Sequence, residues 1–275
     1  MDIMRIPLGH WIESGLQWLT SEYSGVTRQI ASFTQANIDH LNDALLWLPE
    51  WALMALMALA CWRLSGVRLA IGAMAGLALI WNLGLWTPMV ETLTLVVIAT
   101  LVAVVIALPV GIAAALSERL YRLVMPVLDF MQTMPAFVYL IPAIPFFGIG
   151  AVSAIFATVI FSMPPAIRFT ILGIRQVPGD LIEAADAYGA TRTQKLVKVQ
   201  LPLSLPTVMA GINQTIMLAL SMVVIAAMIG AEGLGSEVWR AIQRLRPGDG
   251  FEAGIAVVIL AMLLDRLTQS LRKSR

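Results

Sequence analysis

Charge and cysteine are what this 275-residue chain has least of: Asp, Glu, Lys and Arg make up 13% of it, and Cys61 is its one cysteine. A soluble domain carries about 25% charged residues, so there is too little charge here to coat a water-facing surface. A single cysteine excludes an intrachain disulfide framework and a cysteine-built zinc cluster. The two histidines, His10 and His40, both lie near the N-terminus and leave little material for a histidine metal site. With 18 Lys+Arg against 17 Asp+Glu the formal charge is +1, which provides no basic face for nucleic acid. No Gly-x4-Gly-Lys-Ser/Thr phosphate loop occurs, so ATP hydrolysis of that kind would have to reside on another chain. The opening MDIMRIPLGHWIESG lacks the ordered basic, apolar and small-residue parts of a secretory signal. The N-terminal region is therefore expected to stay in the mature protein. Internal repeats and low-complexity tracts are also missing.

What the chain has is apolar length. Hydrophobic residues make up 59% and the mean hydropathy is +0.83, which marks an all-α integral membrane protein. A crossing helix needs about 20 apolar residues. Seven stretches qualify, some narrowly, at roughly 50–64, 67–86, 90–116, 134–149, 151–171, 206–229 and 252–268. Lys and Arg collect on the cytoplasmic side. With the N-terminus outside, Arg5, Arg28, Arg240, Arg244 and Arg246 fall outside and the other 13 of the 18 basic residues fall inside. The outer Arg240–Arg246 group dissents, with Glu232, Glu237, Asp249 and Glu252 around it. The preferred topology is N-terminus out, C-terminus in.

Residues 1–49 differ in composition from the rest. Ile38, Leu41, Leu45 and Leu48 recur at helical spacing, with Asp39, His40, Asn42 and Asp43 on the other side. Such a helix either lies in the outer interface, with Trp11, Trp18 and Trp47 as headgroup-level anchors, or packs on the rim of the membrane domain. Residues 50–89 hold the first two spans, 90–268 form the main membrane domain, and 269–275 are a cytoplasmic tail.

Most of the polar sequence between the later spans lies in 172–205. Pro178-Gly179 makes a turn, and Asp180 is expected to cap a helix from Leu181 with Glu183 in its first turn. Ala184, Ala185 and Ala187 form a narrow face open to close approach. Gly189 suits the left-handed conformation that ends a helix, and Thr191 and Gln194 have capping-box spacing. Leu201-Pro202 is expected to close the second helix, with Pro206 entering the next span.

These residues carry a resemblance. EAADAYGATRTQKLVKVQLP, residues 183–202, resembles the EAA loop of ABC importer permeases: Glu-Ala-Ala, three residues, Gly, nine residues, an aliphatic residue, one residue, Leu-Pro. Val199 stands where the family more often has Ile. The segments LDFMQTMPAFVYLIPAIPFFGIG (128–150), MPPAIRFTILGIRQVP (163–178) and MVVIAAMIGAEGLG (222–235), with the Trp-rich start ending in LLWLPEW, resemble permeases for glycine betaine, proline betaine or choline.

The resemblance implies a type I ABC importer permease fold of about seven transmembrane helices, with 178–205 as the cytoplasmic coupling loop. Glu183, Ala184, Ala185, Gly189, Leu201 and Pro202 would form the ATPase-coupling element. Arg192, Lys195 and Lys198 would add contacts there or, for at least two of them, meet lipid or solvent. The resemblance further implies a cytoplasmic ATPase subunit holding ATP and Mg, a periplasmic or surface-anchored substrate-binding protein, and a second copy of this chain. The setting would be a bacterial inner membrane, and no cofactor is expected on this chain itself. For a quaternary ammonium solute, aromatic faces offer cation–π attraction of about 0.5–2 kcal/mol. Phe137, Tyr139 and Phe161 are the aromatic pathway candidates, and Asn213, Gln214 and Ser221 the polar ones. Pro135, Pro142, Pro145, Pro164 and Pro165 predict that the fourth and fifth spans are not straight. Glu232 and Glu237 would meet the binding protein or remain solvated. Permeases for choline, amino acids or other small solutes share the loop. An ion-coupled secondary transporter would favour an inverted repeat and mid-membrane acids, whereas Asp129 and Glu91 fall near span ends. A membrane enzyme would need a buried reactive cluster.

Overall fold

In the computed structural model, which describes residues 7–273, the apolar runs become helices and the glycines and prolines between them become the breaks. Two helices, α1 (Leu8–Glu22) and α2 (Ser24–Trp47), precede α3 (Glu50–Ser65) and α4 (Val67–Asn82). The centre follows as α5 (Trp86–Leu116), α6 (Glu118–Thr133), a 3-10 turn at Ala136–Tyr139, α7 (Leu140–Phe147) and α8 (Ala151–Arg175). Then come α9 (Gly179–Ala187), α10 (Arg192–Lys195), a π turn at Leu196–Gln200, α11 (Leu201–Ala226), α12 (Leu234–Gln243) and α13 (Pro247–Lys273). No strand occurs among the described residues.

Among the described residues, three helices are long and apolar enough to cross a membrane unaided: α5, α8, and the continuous run Arg192–Ile229 that contains α11. The pair α2 and α3 is bent by 99° at Leu48-Pro49, and α6 with the segment to Phe147 by 111° at Met134-Pro135. The stretch 134–149 is thus not one span. Pro135 disfavours helix at Met134, and the chain resumes as a 3-10 turn and the eight-residue α7. Pro164 and Pro165 lie inside α8, which runs through them uninterrupted.

The packing centre is α8, held between α5 and α11. Lipid tails provide no hydrophobic drive between spans, so small residues that let backbones approach do the work. Ala99, Ala103, Ala107 and Gly111 recur every four residues on α5 and are all buried. A Cβ added at Gly111 would lie 2.7 Å from Thr170 Cβ, and one at Gly211 of α11 2.6 Å from Phe169 Cβ. The opposite stripe of α5, with Val97, Leu101 and Val105, is exposed. Apolar outside and small inside is the pattern of a helix facing lipid.

The larger apolar core joins Met89, Leu93 and Val96 of α5 to Leu220 and Val223 of α11, Leu77 and Ile80 of α4, and Leu260 of α13. A second cluster forms toward the α8–α9 end from Ala107, Ala114, Leu128, Ile167 and Ile171. Ile38 of α2 is buried in the larger core, with Ala31, Leu45 and Leu48 packed against it. The second half of α2 therefore lies on the rim of the bundle, against α5, α7 and α8. Trp11, Trp18 and Trp47 stay exposed.

Candidate functional site

The loop between α8 and α11 is built by local chemistry. Pro178 takes the position before α9, which starts at Gly179 rather than Leu181, and no side chain caps it. Asp180 is therefore in the first turn and Glu183 in the second. The end of α9 is more strongly specified. Gly189 N–H donates to Asp186 O at 2.9 Å and Ala190 N–H to Ala185 O at 2.9 Å, the paired bonds of a Schellman cap. Gly189 has φ +75° and open space where a Cβ would sit, so glycine is needed for the backbone angle and not for room. Thr191 Oγ1 accepts from Gln194 N–H at 3.3 Å while Gln194 Oε1 accepts from Thr191 N–H at 2.8 Å, completing the capping box. Lys195 Nζ pairs with Asp186 across the turn at 2.6 Å.

The helix held this way is presented and not packed. None of its residues is buried, Glu183 and Ala184 are exposed, Ala185 is half-buried, and Tyr188 beside them is 94% exposed. Its two supporting arms are firm. Arg175, in the last turn of α8, donates to Ala114 O at 3.4 Å and Ala115 O at 3.3 Å, satisfying carbonyls at the end of α5. It also pairs with Glu118 at 3.0 Å and lies 3.9 Å above the Tyr121 ring. One turn pair earlier on the same helix, Arg168 pairs with Asp129 of α6.

The other arm departs from expectation at Leu201-Pro202. These residues do not close a helix, because the run from Arg192 continues to Ile229. The π turn just before shifts the hydrogen-bond register, and Pro202 falls in the first turn of α11, where a missing N–H costs least. Pro206 lies inside α11 and not at its entry. Leu201 is half-buried and Pro202 exposed.

The pathway candidates are dispersed. Tyr139 is buried and meets Phe161 edge to face with ring centroids 5.7 Å apart, and its hydroxyl donates to Met131 O. Phe137 is exposed. On α11, Gln214 and Ser221 are exposed, and the Ser221 hydroxyl donates to Met217 O at 3.0 Å. Asn213 turns toward α13 and donates to Asp265 at 2.8 Å. Asp265 and Arg175 were not singled out in the sequence. A lone acid after the twelve uncharged residues 253–264 was the available signal for the first, and it supplies a carboxylate inside a long apolar helix. Near the α12–α13 turn, Glu237 pairs with Arg240 and Asp249 with Arg246, so that dissenting basic group is largely neutralised locally. A cavity of about 910 Å³ there is lined by apolar groups such as Ile242, Phe251 and Val258, and none of the aromatic candidates lines it.

A family model described as "Binding-protein-dependent transport system inner membrane component" matches residues 107–273. The glycine betaine transport system permease protein OpuAB of Bacillus subtilis is 50% identical over 268 residues, covering 98% of this chain and 95% of the relative. The glycine betaine/proline betaine transport system permease protein ProW of Escherichia coli is 46% identical over 271 residues, covering 98% of this chain and 77% of the relative. Among solved structures, the inward-facing MetNI methionine ABC transporter matches with TM-score 0.63 at 25% identity, over 67% of this chain and 92% of that one.

Proposed function

Because this chain belongs to the family of binding-protein-dependent transport system inner membrane components, we propose that it is the permease of an ATP-driven importer for a quaternary ammonium osmoprotectant, with glycine betaine or proline betaine as cargo. The observation that carries the cargo is identity of 46–50% to glycine betaine permeases over nearly the whole chain. The class rests on broader ground. The chain has the type I ABC importer permease fold, is a multi-pass membrane protein, and is a transport subunit rather than an enzyme. Membership of the family implies an ATPase and a substrate-binding protein as partners.

In this reading the exposed α9 seats in a cleft of a cytoplasmic ATPase. Ala184 and Ala185 allow the close fit, Glu183 offers a charge, and the Gly189 turn holds the helix between its arms. Leu201 and Pro202 mark where the loop rejoins the membrane. Two copies of the chain would work together, since two ATPase subunits enclose two nucleotides, with ATP and Mg bound there. Their closure would draw the two α9 helices together and tilt the spans. The N-terminus would lie outside and the C-terminus in the cytoplasm of a bacterial inner membrane, in keeping with the Lys and Arg excess on the α9 side. Phe137 and Phe161 would offer aromatic faces to the passing ammonium group, and Gln214 and Ser221 polar contacts, while the buried Tyr139 supports Phe161 and tight binding resides on the external protein.

The test is uptake of radiolabelled glycine betaine into proteoliposomes holding this chain with its ATPase and binding protein, with and without ATP and with choline as competitor. ATP-dependent uptake supports the reading, and the competition ranks the cargoes. Uptake driven by a sodium or proton gradient without ATP refutes it.

A further inference from the structure

Besides packing directly against α13, the membrane part of α11 is tied to it by a polar cluster. Asn213 Nδ2 donates to Asp265 Oδ1 at 2.8 Å. Gln269 Nε2 donates to the same carboxylate, at 2.9 Å to Oδ1 and 2.8 Å to Oδ2. Thr268 Oγ1 donates to Asn213 Oδ1 at 3.0 Å, sharing its proton with the carbonyl of Leu264. All four side chains are half-buried. Residues 253–264 ahead of Asp265 are uncharged. Asp265 directly follows that run and precedes Arg266, and its carboxylate is held by side-chain donors. Here one of the donors comes from the neighbouring helix, 52 residues away in sequence.

The position of that donor gives the cluster a mechanical meaning. The helix runs unbroken from Arg192, beside α9, to Ile229. Asn213 is 21 residues along it, about 30 Å from Arg192 at 1.5 Å per residue. A displacement of α9 therefore reaches Asn213 along one continuous helical run, through the π turn at Leu196–Gln200 and past Pro202 and Pro206. On its other sides α13 packs against α3, α4 and α12, which lie outside the central α5–α8–α11 stack, and touches α5 within it.

We infer that Asn213 and Asp265 are positioning residues that pass the displacement of the coupling loop from α11 to α13, so that α13 and the helices leaning on it move with α11. The inference rests on the reading of α9 as the ATPase-docking helix. It also changes the role of Asn213: its amide holds a neighbouring helix and is not directed at the solute.

The experiment measures solute transported per ATP hydrolysed in proteoliposomes containing the full transporter, together with yield and Tm of the purified complex. Asn213→Leu removes the cross-helix donor at similar volume, and Asn213→Asp places two carboxylates face to face. Each is expected to lower the transport-to-ATP ratio about threefold to tenfold, the range of a single interhelical hydrogen bond in a membrane. The exchange N213D/D265N rebuilds the bond with its polarity reversed and is expected to restore the ratio to within about twofold. If Asn213→Leu does not fold, Asn213→Asp and the exchange decide the matter. A wild-type ratio in the single variants overturns the inference. So does a lower yield or Tm with an unchanged ratio per folded transporter, or an exchange that fails to recover. Gly189→Val measured alongside separates the two readings. Normal coupling in that variant sinks the docking role of α9, whereas coupling lost there but kept in Asn213→Leu sinks only the α11–α13 tie.

Discussion

Gly189 offers the sharpest test of the coupling loop, because the structure separates the two ways a glycine can matter. Its φ is +75°, and nothing lies within 4 Å of a Cβ built there. Substitution therefore meets no clash and costs only the left-handed backbone, about 1–2 kcal/mol for an ordinary side chain and more for a β-branched one. The surrounding turn is held by the bonds Gly189 N–H to Asp186 O and Ala190 N–H to Ala185 O, and α9 buries nothing. The strain is thus relieved by unwinding the turn locally, with no core to be lost. An extra 1–2 kcal/mol shifts a local equilibrium about fivefold to thirtyfold toward the unwound form. Gly189→Val is expected to leave yield and Tm near wild type while ATP-driven uptake falls, by at most that factor. Gly189→Asn, whose side chain tolerates the left-handed region, should retain most uptake, and Gly189→Ala should fall between. Uptake and ATPase rate in proteoliposomes provide both readouts. Equal loss in the Asn and Val variants would show that the backbone angle is not what matters, and normal uptake in Val would refute the reasoning altogether.

Three further perturbations are expected to sort by mechanism. Thr191→Ala removes one half of the capping box and should cost the loop about 1 kcal/mol, seen as faster amide exchange over 192–195 with the membrane core unchanged. Lys195→Ala breaks a largely surface pair with Asp186; such pairs are worth about 0–1 kcal/mol, so uptake should change less than twofold, and a larger loss would assign Lys195 to the partner interface. Gly211→Leu drives a side chain into Phe169, whose Cβ lies 2.6 Å from the added Cβ. Overpacking of about 1–3 kcal/mol or more should then lower Tm in detergent, and an unchanged Tm would contradict the packing of α11 on α8.

The loop was readable in sequence because its structure is local. A capping box spans four residues and a Schellman turn six, so Thr191, Gln194 and Gly189 could be assigned from spacing alone. What the sequence did not show depends on partners further away. Pro202 reads as a stop until the π turn ahead of it is known, since only the shift in register places the proline where its missing N–H is harmless. The stretch 134–149 has the hydropathy of a span, yet Pro135 divides it from α6 and turns the chain by 111°; composition carries no information about that angle. Asn213 looks like a free polar group in a span, and nothing near it in the chain indicates Asp265.

The same distinction bears on Arg175, the residue that makes the α8 arm stiff. Its guanidinium serves two carbonyls at the end of α5, the Glu118 carboxylate and the face of Tyr121 at once. Lysine keeps the charge but has neither the planar fork nor the flat surface for stacking. If α8 must hold the α5–α6 corner rigidly for α9 to act as a lever, Arg175→Lys should impair coupling nearly as much as Arg175→Ala, with transport per ATP falling in both. If the site needs only a positive charge, Arg175→Lys should couple as the parent does. The comparison reads geometry against electrostatics directly, and wild-type coupling by Arg175→Lys would show that the arm does not depend on the multiple hydrogen bonds seen here.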